Sequence, residues 1–434
     1  MKKILFSFNE LKATFWFVPV LIIVLSILLA TGTVILDEFV SLPQDGLGRF
    51  FFVNSAASAR SILTTISGAM IGVAGTVFSV TLVALTLASS QFGPRLIKNF
   101  MYVRLNQVVL GSYVATYLYC LLVLNAIKGS DSFTFIPSIS ILLAIAAAFV
   151  NIILLIVFIH NIAISIQADK VISDVSDIMS NQIKRLFPTE IGDETNKDFS
   201  GSVDQLKENC SFVSPILSPK NGYLQYIDTE TLLEIVSSHN GLFELNFRPG
   251  DHLVEDIEVG KLYSIEEIDE KVLERLQRQF VVGKTKNAQQ DIEFSIHQMV
   301  EIAARALSPG VNDPYTAIAC IDNLKAMLCK LTQVNFPSKY RVDEEKNLRI
   351  IAETFDFNGL LSASFNQIRQ FSAGSPAVII RLMEALITIN KFTEKEDYKR
   401  NIAHHAQMVL NVGKDTIKEA SDLNDLLERS KSIL

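Results

Sequence analysis

The segment ILTTISGAMIGVAGTVFSVTLVALTLASS, residues 62–90, contains no charged side chain in 29 positions. A helix needs about 20 apolar residues to cross the hydrocarbon core of a bilayer, so this segment predicts a membrane-spanning helix. Small and hydroxyl residues recur along it in alternating steps of four and three, which places them on one face of a helix. With two neighbouring glycines they form what we call the small-residue face: Thr65, Gly68, Ala69, Gly72, Gly75, Thr76, Ser79, Val83, Thr86 and Ser90.

Two functions are compatible with this face. The commoner one is close helix packing, since GxxxG pairs such as Gly68 with Gly72 let backbones approach each other. The packing partner is either another span of the same chain or a second copy of it. The other function is a pore, in which several copies pack through their glycines while the hydroxyls replace part of an ion's hydration shell. The hydroxyl residues concerned are Thr65, Thr76, Ser79, Thr86 and Ser90.

Three further apolar runs are long enough to cross a membrane: 14–36, 107–127 and 137–167. The first run is too long for a cleaved signal peptide and is followed at once by the acidic pair Asp37 and Glu38, so we expect it to be retained. Four crossings therefore form a transmembrane domain over residues 1–168.

Lysine and arginine in the short loops predict the orientation, because cytoplasmic loops carry the excess of these residues. Six of them lie before the first span or between the second and third, against three in the other loops. Both chain termini are therefore expected in the cytoplasm, with the protein in a bacterial inner membrane. The two sets are Lys2, Lys3, Lys12, Arg95, Lys98 and Arg104, and Arg49, Arg60 and Lys128.

The rest of the chain has the composition of a soluble domain, with a net charge of about −11 over residues 168–434. Its acidity disfavours nucleic acid as a partner. We expect a connecting helix and linker over 169–204, a small β-rich module over 205–265 and a helical domain over 266–434. The fold class is thus a membrane all-α part followed by an α+β, mainly helical cytoplasmic part. The four cysteines have no CxxC spacing, so reduced thiols without zinc are expected.

The connecting helix is expected to continue the fourth span with little or no break, since apolar residues keep helical spacing through ADKVISDVSDIMSNQIKRLF, residues 168–187. Such a helix either transmits motion or only positions the domain. Pro188 ends it, and a polar linker follows to Asp204.

In the β-rich module, turn residues separate four predicted strands and enclose one helix with Asp228 as N-cap and Gly241 as C-cap. From Glu266 onward the pattern is helical and includes one long helix over 394–420. The interval 348–355 is the exception and favours a lone strand. The four predicted strands are 211–217, 222–227, 242–247 and 252–257.

Two polar residues interrupt the fourth span, Asn151 near its middle and His160 near its cytoplasmic end. Polar groups inside a membrane generally need partners. Nine positions separate the two, which places them on opposite faces of a helix and argues against a shared ion site. A structural hydrogen bond is the favoured role for His160.

The segment ARALSPGVNDPYTA, residues 304–317, contains a loop dense in special residues. Helix capping by Asn312 or Asp313 with Pro314 in the first turn explains most of it, and a docking or ligand site is the alternative. The candidate residues are Ser308, Pro309, Gly310, Asn312, Asp313 and Pro314.

No enzymatic motif supports catalysis, because the chain lacks a phosphate-binding loop, a dinucleotide fingerprint, HExxH and GxSxG. His404 and His405 are adjacent, face different directions and are expected at the surface. We expect no catalytic residue, no cofactor and no metal.

Several segments resemble the bacterial membrane-protein family known as domain of unknown function 2254. They are TTISGAMIGVAGTVFSVTLVALTLASSQFGPRLIKNF, NQVVLGSYVATYLYCLLVL, GYLQYID, RPGDHLV and ARALSPGVNDPYTA. The resemblance runs over nearly the whole chain and implies an inner-membrane location and a shared architecture. It carries no established activity and no functional residue.

Two hypotheses follow. The first is a homo-oligomeric channel lined by the second span and regulated by the cytoplasmic domain. The second is a non-conducting membrane scaffold or sensor whose cytoplasmic domain binds a cytosolic protein or small ligand. A transporter is disfavoured, since the chain has neither a charged midplane site nor two repeated halves. The lipid bilayer and further copies of the chain are the expected partners.

Overall fold

The computed structural model describes residues 14–40, 55–96, 103–130, 133–187, 199, 201 and 203–434. The chain forms two compact units, one that ends at Gln167 and one that begins at Ala168.

The first unit contains four helices that are long and apolar enough to cross a membrane, which confirms the predicted spans. Two three-residue strands, β1 and β2, form an antiparallel hairpin between the third and fourth helices. The elements are α1 (Phe17–Phe39), α2 (Ala56–Phe92), α3 (Arg104–Ala126), β1 (Lys128–Ser130), β2 (Phe133–Phe135) and α4 (Ser138–Ser165).

Helix α3 is the central element of the first unit and packs against α1, α2 and α4. Its contact with α1 is close enough to require glycine at position 111. A Cβ atom there would lie 2.9 Å from Cα of Pro19, which is backbone and cannot rotate away. The tightest glycine contact described in this unit is therefore made by Gly111 on α3. The GxxxG pattern lies on α2 and did not predict this contact.

The second unit begins with α5 (Ala168–Leu186). Ile166 and Gln167 leave helical geometry, so α4 and α5 are separate helices with a break of two residues, where the sequence predicts little or no break. Val171, Val175 and Met179 on the apolar face of α5 are buried. They belong to the face that packs on two helices of the second unit, α9 (Ile292–Ala306) and α10 (Pro314–Thr332), so α5 is built into that unit. Pro188 and nearly all of the predicted linker lie outside the described residues.

Two sheets form the β part of the second unit. One has five strands in the order β3-β7-β5-β10-β9, and the other has three in the order β6-β4-β8. All neighbouring strands are antiparallel except β5 and β10, which are parallel. The strands are β3 (Phe212–Leu217), β4 (Gly222–Ile227), β5 (Leu242–Leu245), β6 (His252–Leu253), β7 (Glu258–Ser264), β8 (Phe280–Gly283), β9 (Tyr340–Val342) and β10 (Leu348–Ala352).

Strand pairing differs from the local pattern. The strands that flank SPKNG, β3 and β4, belong to different sheets. Ser218, directly after β3, instead donates its backbone N–H to the carbonyl of Ile257, directly before β7, at 2.8 Å. The partner of β3 is β7, which the sequence pattern missed because EVGK resembles a turn. The strand predicted over 348–355 is present as β10, but it is not a lone strand, since it lies between β5 and β9.

The remaining helices pack around these sheets or against one another. Asp228 caps α7 as predicted, accepting a hydrogen bond from the backbone N–H of Thr231 at 3.3 Å. The C-cap is His239 rather than Gly241, and Asn240 takes the left-handed conformation at φ 46°. The predicted long helix over 394–420 is present as α13 (Glu396–Thr416), which ends four residues early because the chain turns extended at Ile417. A separate helix that the sequence pattern missed, α14 (Ala420–Ser430), follows it. The helices are α6 (Val203–Glu208), α7 (Thr229–Ser238), α8 (Glu270–Gln277), α9 (Ile292–Ala306), α10 (Pro314–Thr332), α11 (Phe357–Phe371), α12 (Pro376–Lys391), α13 (Glu396–Thr416) and α14 (Ala420–Ser430).

Candidate functional site

The small-residue face lies on the outer surface of α2. Every one of its ten residues is exposed, from Thr65 at one end to Ser90 at the other. The packed residues of α2 lie on the other side of the helix: Ala59, Leu63, Ser67, Met70, Ala74, Val77, Thr81, Ala84, Ala88 and Phe92.

The two faces of α2 are nearly opposite each other. Thr65 is exposed and Ala74 is buried, and nine positions correspond to about 900°, or a half turn beyond two full turns. Ser79 and Ala88 repeat this relationship further along the helix. The small-residue face is therefore directed away from the described helices of the first unit, and packing among those helices does not account for it.

The glycines of this face have open space in front of them. A Cβ atom added at Gly68, Gly72 or Gly75 would meet no atom of the described residues within 4 Å. Glycine in a helix interior costs about 1 kcal/mol relative to alanine, so these positions are not explained by the stability of a single chain. They leave a shallow notch along α2 that another backbone could enter.

Hydroxyl groups on the face are bonded to their own helix. Thr65 donates to the carbonyl of Ser61 at 2.8 Å, and Thr86 donates to that of Leu82 at 2.9 Å. Thr76 and Ser90 form similar bonds, with Gly72 at 3.3 Å and Leu87 at 2.9 Å. Because each proton is used within the helix, the hydroxyl oxygen presents lone pairs outward. This chemistry is tolerated by lipid and can also solvate a cation or accept from water.

Asn151 is fully buried in α4 and bonded to α3. Its side-chain oxygen accepts from the Ser112 hydroxyl at 2.7 Å, and its amide donates to Thr116 Oγ1 at 2.8 Å. Its backbone carbonyl accepts from the Tyr113 hydroxyl at 2.7 Å. The amide also lies 3.5 Å from the sulfur of Met70 on α2. Asn151 therefore joins three spans as a structural polar cluster.

His160 differs from its expected structural role. Its side chain is exposed on α4, and it forms no hydrogen bond with any residue in the described ranges. The predicted opposition of Asn151 and His160 agrees with one being buried and the other exposed. Nine positions correspond to two and a half helical turns, so His160 lies on the side of α4 opposite Asn151.

A cavity of about 380 Å³ lies within the first unit, between α1, α3 and α4. Leu25, Ser112 and Leu143 represent the three helices in its lining, and no residue of α2 lines it. The small-residue face and this cavity, whose lining includes the exposed Leu25, are thus separate features. A pore lined by α2 would have to form outside a single chain.

The loop between α9 and α10 has the capping geometry that the sequence favours. The Asp313 carboxylate accepts from the backbone N–H groups of Tyr315 and Thr316, each at 3.1 Å, and from the Thr316 hydroxyl at 2.6 Å. These bonds to the ionised form lower the pKa of Asp313. Asn312 has a φ of 51°, and Pro314 occupies the first helical turn. Asp313, rather than Asn312, is therefore the cap.

The other candidates of this loop lie around that cap. The Ser308 hydroxyl donates to the carbonyl of Arg305 at 2.6 Å and so helps to end α9. Pro309 and Gly310 are exposed, and Val311 and Tyr315 beside them are among the exposed large side chains. The loop is an exposed surface with an ordered cap at its base.

The adjacent histidines are in different environments. His404 is exposed as predicted, whereas His405 is buried, so its expected surface position is wrong. Its Nε2 lies 3.3 Å from the Ser362 hydroxyl. Burial among apolar side chains lowers the pKa of His405 to about 4, with His404 and Arg369 as further causes. His405 is thus a neutral core residue.

The partners of Asn151 are the residues that sequence reasoning missed. Ser112 and Thr116 are four positions apart on α3, with Tyr113 beside them. That spacing places both hydroxyls on one face of a helix and is the signal that could have indicated a buried polar contact.

Comparison with known proteins agrees with the architecture. The family model DUF2254, described as a predicted membrane protein, matches residues 12–388. Uncharacterized proteins of Mycobacterium bovis and Mycobacterium tuberculosis are each 30% identical to this chain over 371 residues, which is 84% of this chain and 70% of each relative. No solved structure matches the chain. With four candidate membrane helices and a family match over most of its length, the chain belongs to the predicted membrane proteins of family DUF2254.

Proposed function

We propose that this protein is a homo-oligomeric channel of the bacterial inner membrane, lined by α2 and regulated by its second unit. Both chain termini are cytoplasmic in this proposal. The observation that carries it is the outward direction of the small-residue face, opposite the packed side of the same helix. A small-residue face on the outside of a chain allows helices to pack closely when the identical faces of several copies meet.

Cyclic symmetry supplies such a meeting, since rotation about one axis brings the same surface of every copy to the centre. Gly68, Gly72 and Gly75 allow neighbouring α2 helices to approach closely. The outward oxygens of Thr65, Thr76 and Thr86 then line the axis, with their protons held by the helix backbone. Oxygens of this kind replace part of an ion's hydration shell without binding it strongly.

The length of α2 suits a pore. At 1.5 Å per residue, its 37 residues span about 55 Å, against a hydrocarbon core of about 30 Å. The small-residue face therefore covers the full thickness of the core. No charged ring lies between Ile62 and Ser90, so weak ion selectivity is expected. Arg95 beyond the end of α2 is explained by the orientation rule, and Lys98 lies outside the described residues.

Single-channel recording tests the proposal. The full-length protein is reconstituted in planar bilayers, and current is recorded under voltage and tension. Wild type should show discrete openings, and Ser79→Leu, which places an apolar side chain on the small-residue face, should lower the unitary conductance or abolish it.

The matched control is Ile71→Phe. Ile71 is exposed on the same helix, eight positions before Ser79 and about 80° around it, and it is outside the small-residue face. This change should leave the conductance unaltered. Unchanged current in Ser79→Leu would overturn the pore assignment, and silence of correctly inserted wild-type protein would favour the scaffold or sensor.

A further inference from the structure

A cavity of about 310 Å³ lies in the second unit, bounded by α7, β10 and the loop after β5. Its inner wall is apolar and includes the buried residues Leu232, Leu245 and Ile350. Small-molecule sites in proteins have volumes of about 300–1,000 Å³ and mainly apolar walls with a few placed polar groups. The cavity is therefore large enough for one small organic molecule.

Two arginines border this cavity and are held in place by the protein. Arg248 donates through Nη2 to both carboxylate oxygens of Glu293, each at 2.9 Å, and its guanidinium lies over the ring of Phe355 at 4.6 Å. Arg341 donates to the backbone carbonyl of Ser338. A planar guanidinium carries five N–H donors, and the Nη2 contacts with Glu293 are the side-chain hydrogen bonds of Arg248 within the described part of the chain.

Charges of both signs lie at the cavity. Two carboxylates, Glu230 and Glu353, also border it, and both are exposed, where water and salt screen their charges strongly. Glu293 compensates the charge of the half-buried Arg248. Recognition of an anion therefore depends on the guanidinium N–H donors of Arg248 and Arg341, which Glu293 and Ser338 hold in place, and not on a net positive potential.

We propose that this cavity binds a small organic anion, with an apolar or aromatic body against Leu232, Leu245 and Ile350 and a carboxylate directed to Arg248 and Arg341. A guanidinium matches a carboxylate in both charge and planar geometry. An apolar body fills the inner wall, where a purely polar ligand would lose its hydration without compensation.

The site also has a route to regulation, and this part rests on the proposed channel. Leu186 and Phe187, at the end of α5, border the cavity. Helix α5 follows the last membrane span in the sequence, two residues after it. A bound anion contacts the end of this helix directly and so stabilises one position of it over others.

Equilibrium dialysis on the full-length protein in lipid nanodiscs tests the site. The probes are radiolabelled 4-phenylbutyrate and its neutral amide, which differ in charge but hardly in shape. Wild type should bind the acid saturably and about tenfold more tightly than the amide, the effect expected of one hydrogen bond to a charged group.

Three variants separate the contributions. Arg248→Gln and, independently, Arg341→Gln should each reduce the preference for the acid and leave amide binding unchanged. Ala352→Phe places a ring in the cavity and should abolish binding of both probes. Thermal unfolding of each variant establishes that it is folded, and the two arginine variants serve as alternatives if one is not.

The outcomes are distinct. Equal affinity for acid and amide in wild type, or absence of saturable binding, would overturn the proposed anion site. Saturable acid binding that Ala352→Phe abolishes supports it. Binding and conduction are measured separately: binding without current would overturn the channel and leave the site, whereas current without binding would overturn the site and leave the channel.

Discussion

The carboxylate of Asp37, at the end of α1, caps the first turn of α4 through Ser140. Its Oδ2 accepts hydrogen bonds from the backbone N–H of Ser140 at 2.9 Å and from the Ser140 hydroxyl at 2.6 Å. Its Oδ1 accepts from the backbone N–H of Ile139 at 2.8 Å. Helix α4 thus receives its N-cap from a residue about a hundred positions earlier, which ties two membrane spans together at one end.

Replacement of Asp37 by alanine should lower the free energy of unfolding of the first unit by about 2 kcal/mol, because two backbone N–H groups and one hydroxyl lose their acceptor. Denaturant unfolding of the full-length protein in micelles, followed by circular dichroism, measures this loss. Glu38→Ala is the matched control, since Glu38 is the next residue and is exposed. Equal effects of the two changes would contradict the capping role.

Leucine at position 111 and at position 72 should have opposite consequences. Gly111→Leu collides with the backbone of Pro19 and should lower the unfolding free energy by more than about 2 kcal/mol. Gly72→Leu enters open space and should raise the unfolding free energy of one chain slightly, by up to about 1 kcal/mol, because glycine is a poor helix former. If α2 assembles through its glycines, Gly72→Leu should reduce the oligomer mass measured by mass photometry in nanodiscs. An unchanged mass would argue against assembly through this face.

Asp291 should make the second unit more stable in acid. It caps α9 by accepting from the backbone N–H of Phe294 at 3.0 Å, and Lys286 lies 4.0 Å from its other oxygen. Burial raises the pKa of Asp291 to about 6, with Glu293 raising it further and Lys286 and Arg248 opposing. The unfolded value is about 3.9, so between about pH 4 and 6 only the folded state holds the proton. Stability from this group therefore falls as pH rises through that window.

Asparagine at position 291 keeps the cap and removes the charge. Asp291→Asn should raise the unfolding free energy by about 2 kcal/mol at pH 7.5 and have no such effect at pH 4. Urea unfolding at the two pH values measures the difference. Glu267→Gln, which changes an exposed carboxylate, is the control and should alter neither. A gain that is the same at both pH values would mean that the charge of Asp291 is not the cause.

His405 should have the opposite effect in nearly the same pH range. Its pKa is lowered to about 4, chiefly by burial, whereas an unfolded histidine has a pKa of about 6.5. Between these values the unfolded chain binds the extra proton, so stability falls as pH falls. Because Asp291 contributes the opposite change in this range, the test is made in the Asp291→Asn background, where the unfolding free energy should decline between pH 6.5 and 4. Adding His405→Leu should flatten this decline, whereas adding His404→Leu, at an exposed position, should keep it. A flat profile of the Asp291→Asn protein would contradict the assignment.

Local patterns predicted the features that depend on local chemistry. Hydropathy over about 20 residues is enough to recognise a span, because each span satisfies its own backbone within the helix. The caps at Asp228 and Asp313 were predictable for the same reason, since each carboxylate binds backbone within three residues. The predicted helix ends that failed, Gly241 and Ala420, lie where a helix end depends on the packing that follows.

Strand pairing and burial depend on residues far away in sequence. Strand β3 joins β7 rather than β4, and β10 joins β5, because sheet register is decided by which apolar faces the whole unit buries. His405 appeared polar and is buried against α11, near Ser362. The sequence contains no local signal for either outcome.

The sequence by itself determined that α2 crosses the membrane and carries a small-residue face, because periodicity is a property of the helix alone. Only the tertiary structure decided that this face is directed outward, since α3 packs against Ala74 and its neighbours on the opposite side. The same holds for the cavity beside Arg248 and for the cap that Asp37 provides. Each requires groups from separate elements, and the free energy of packing those elements together selects their positions.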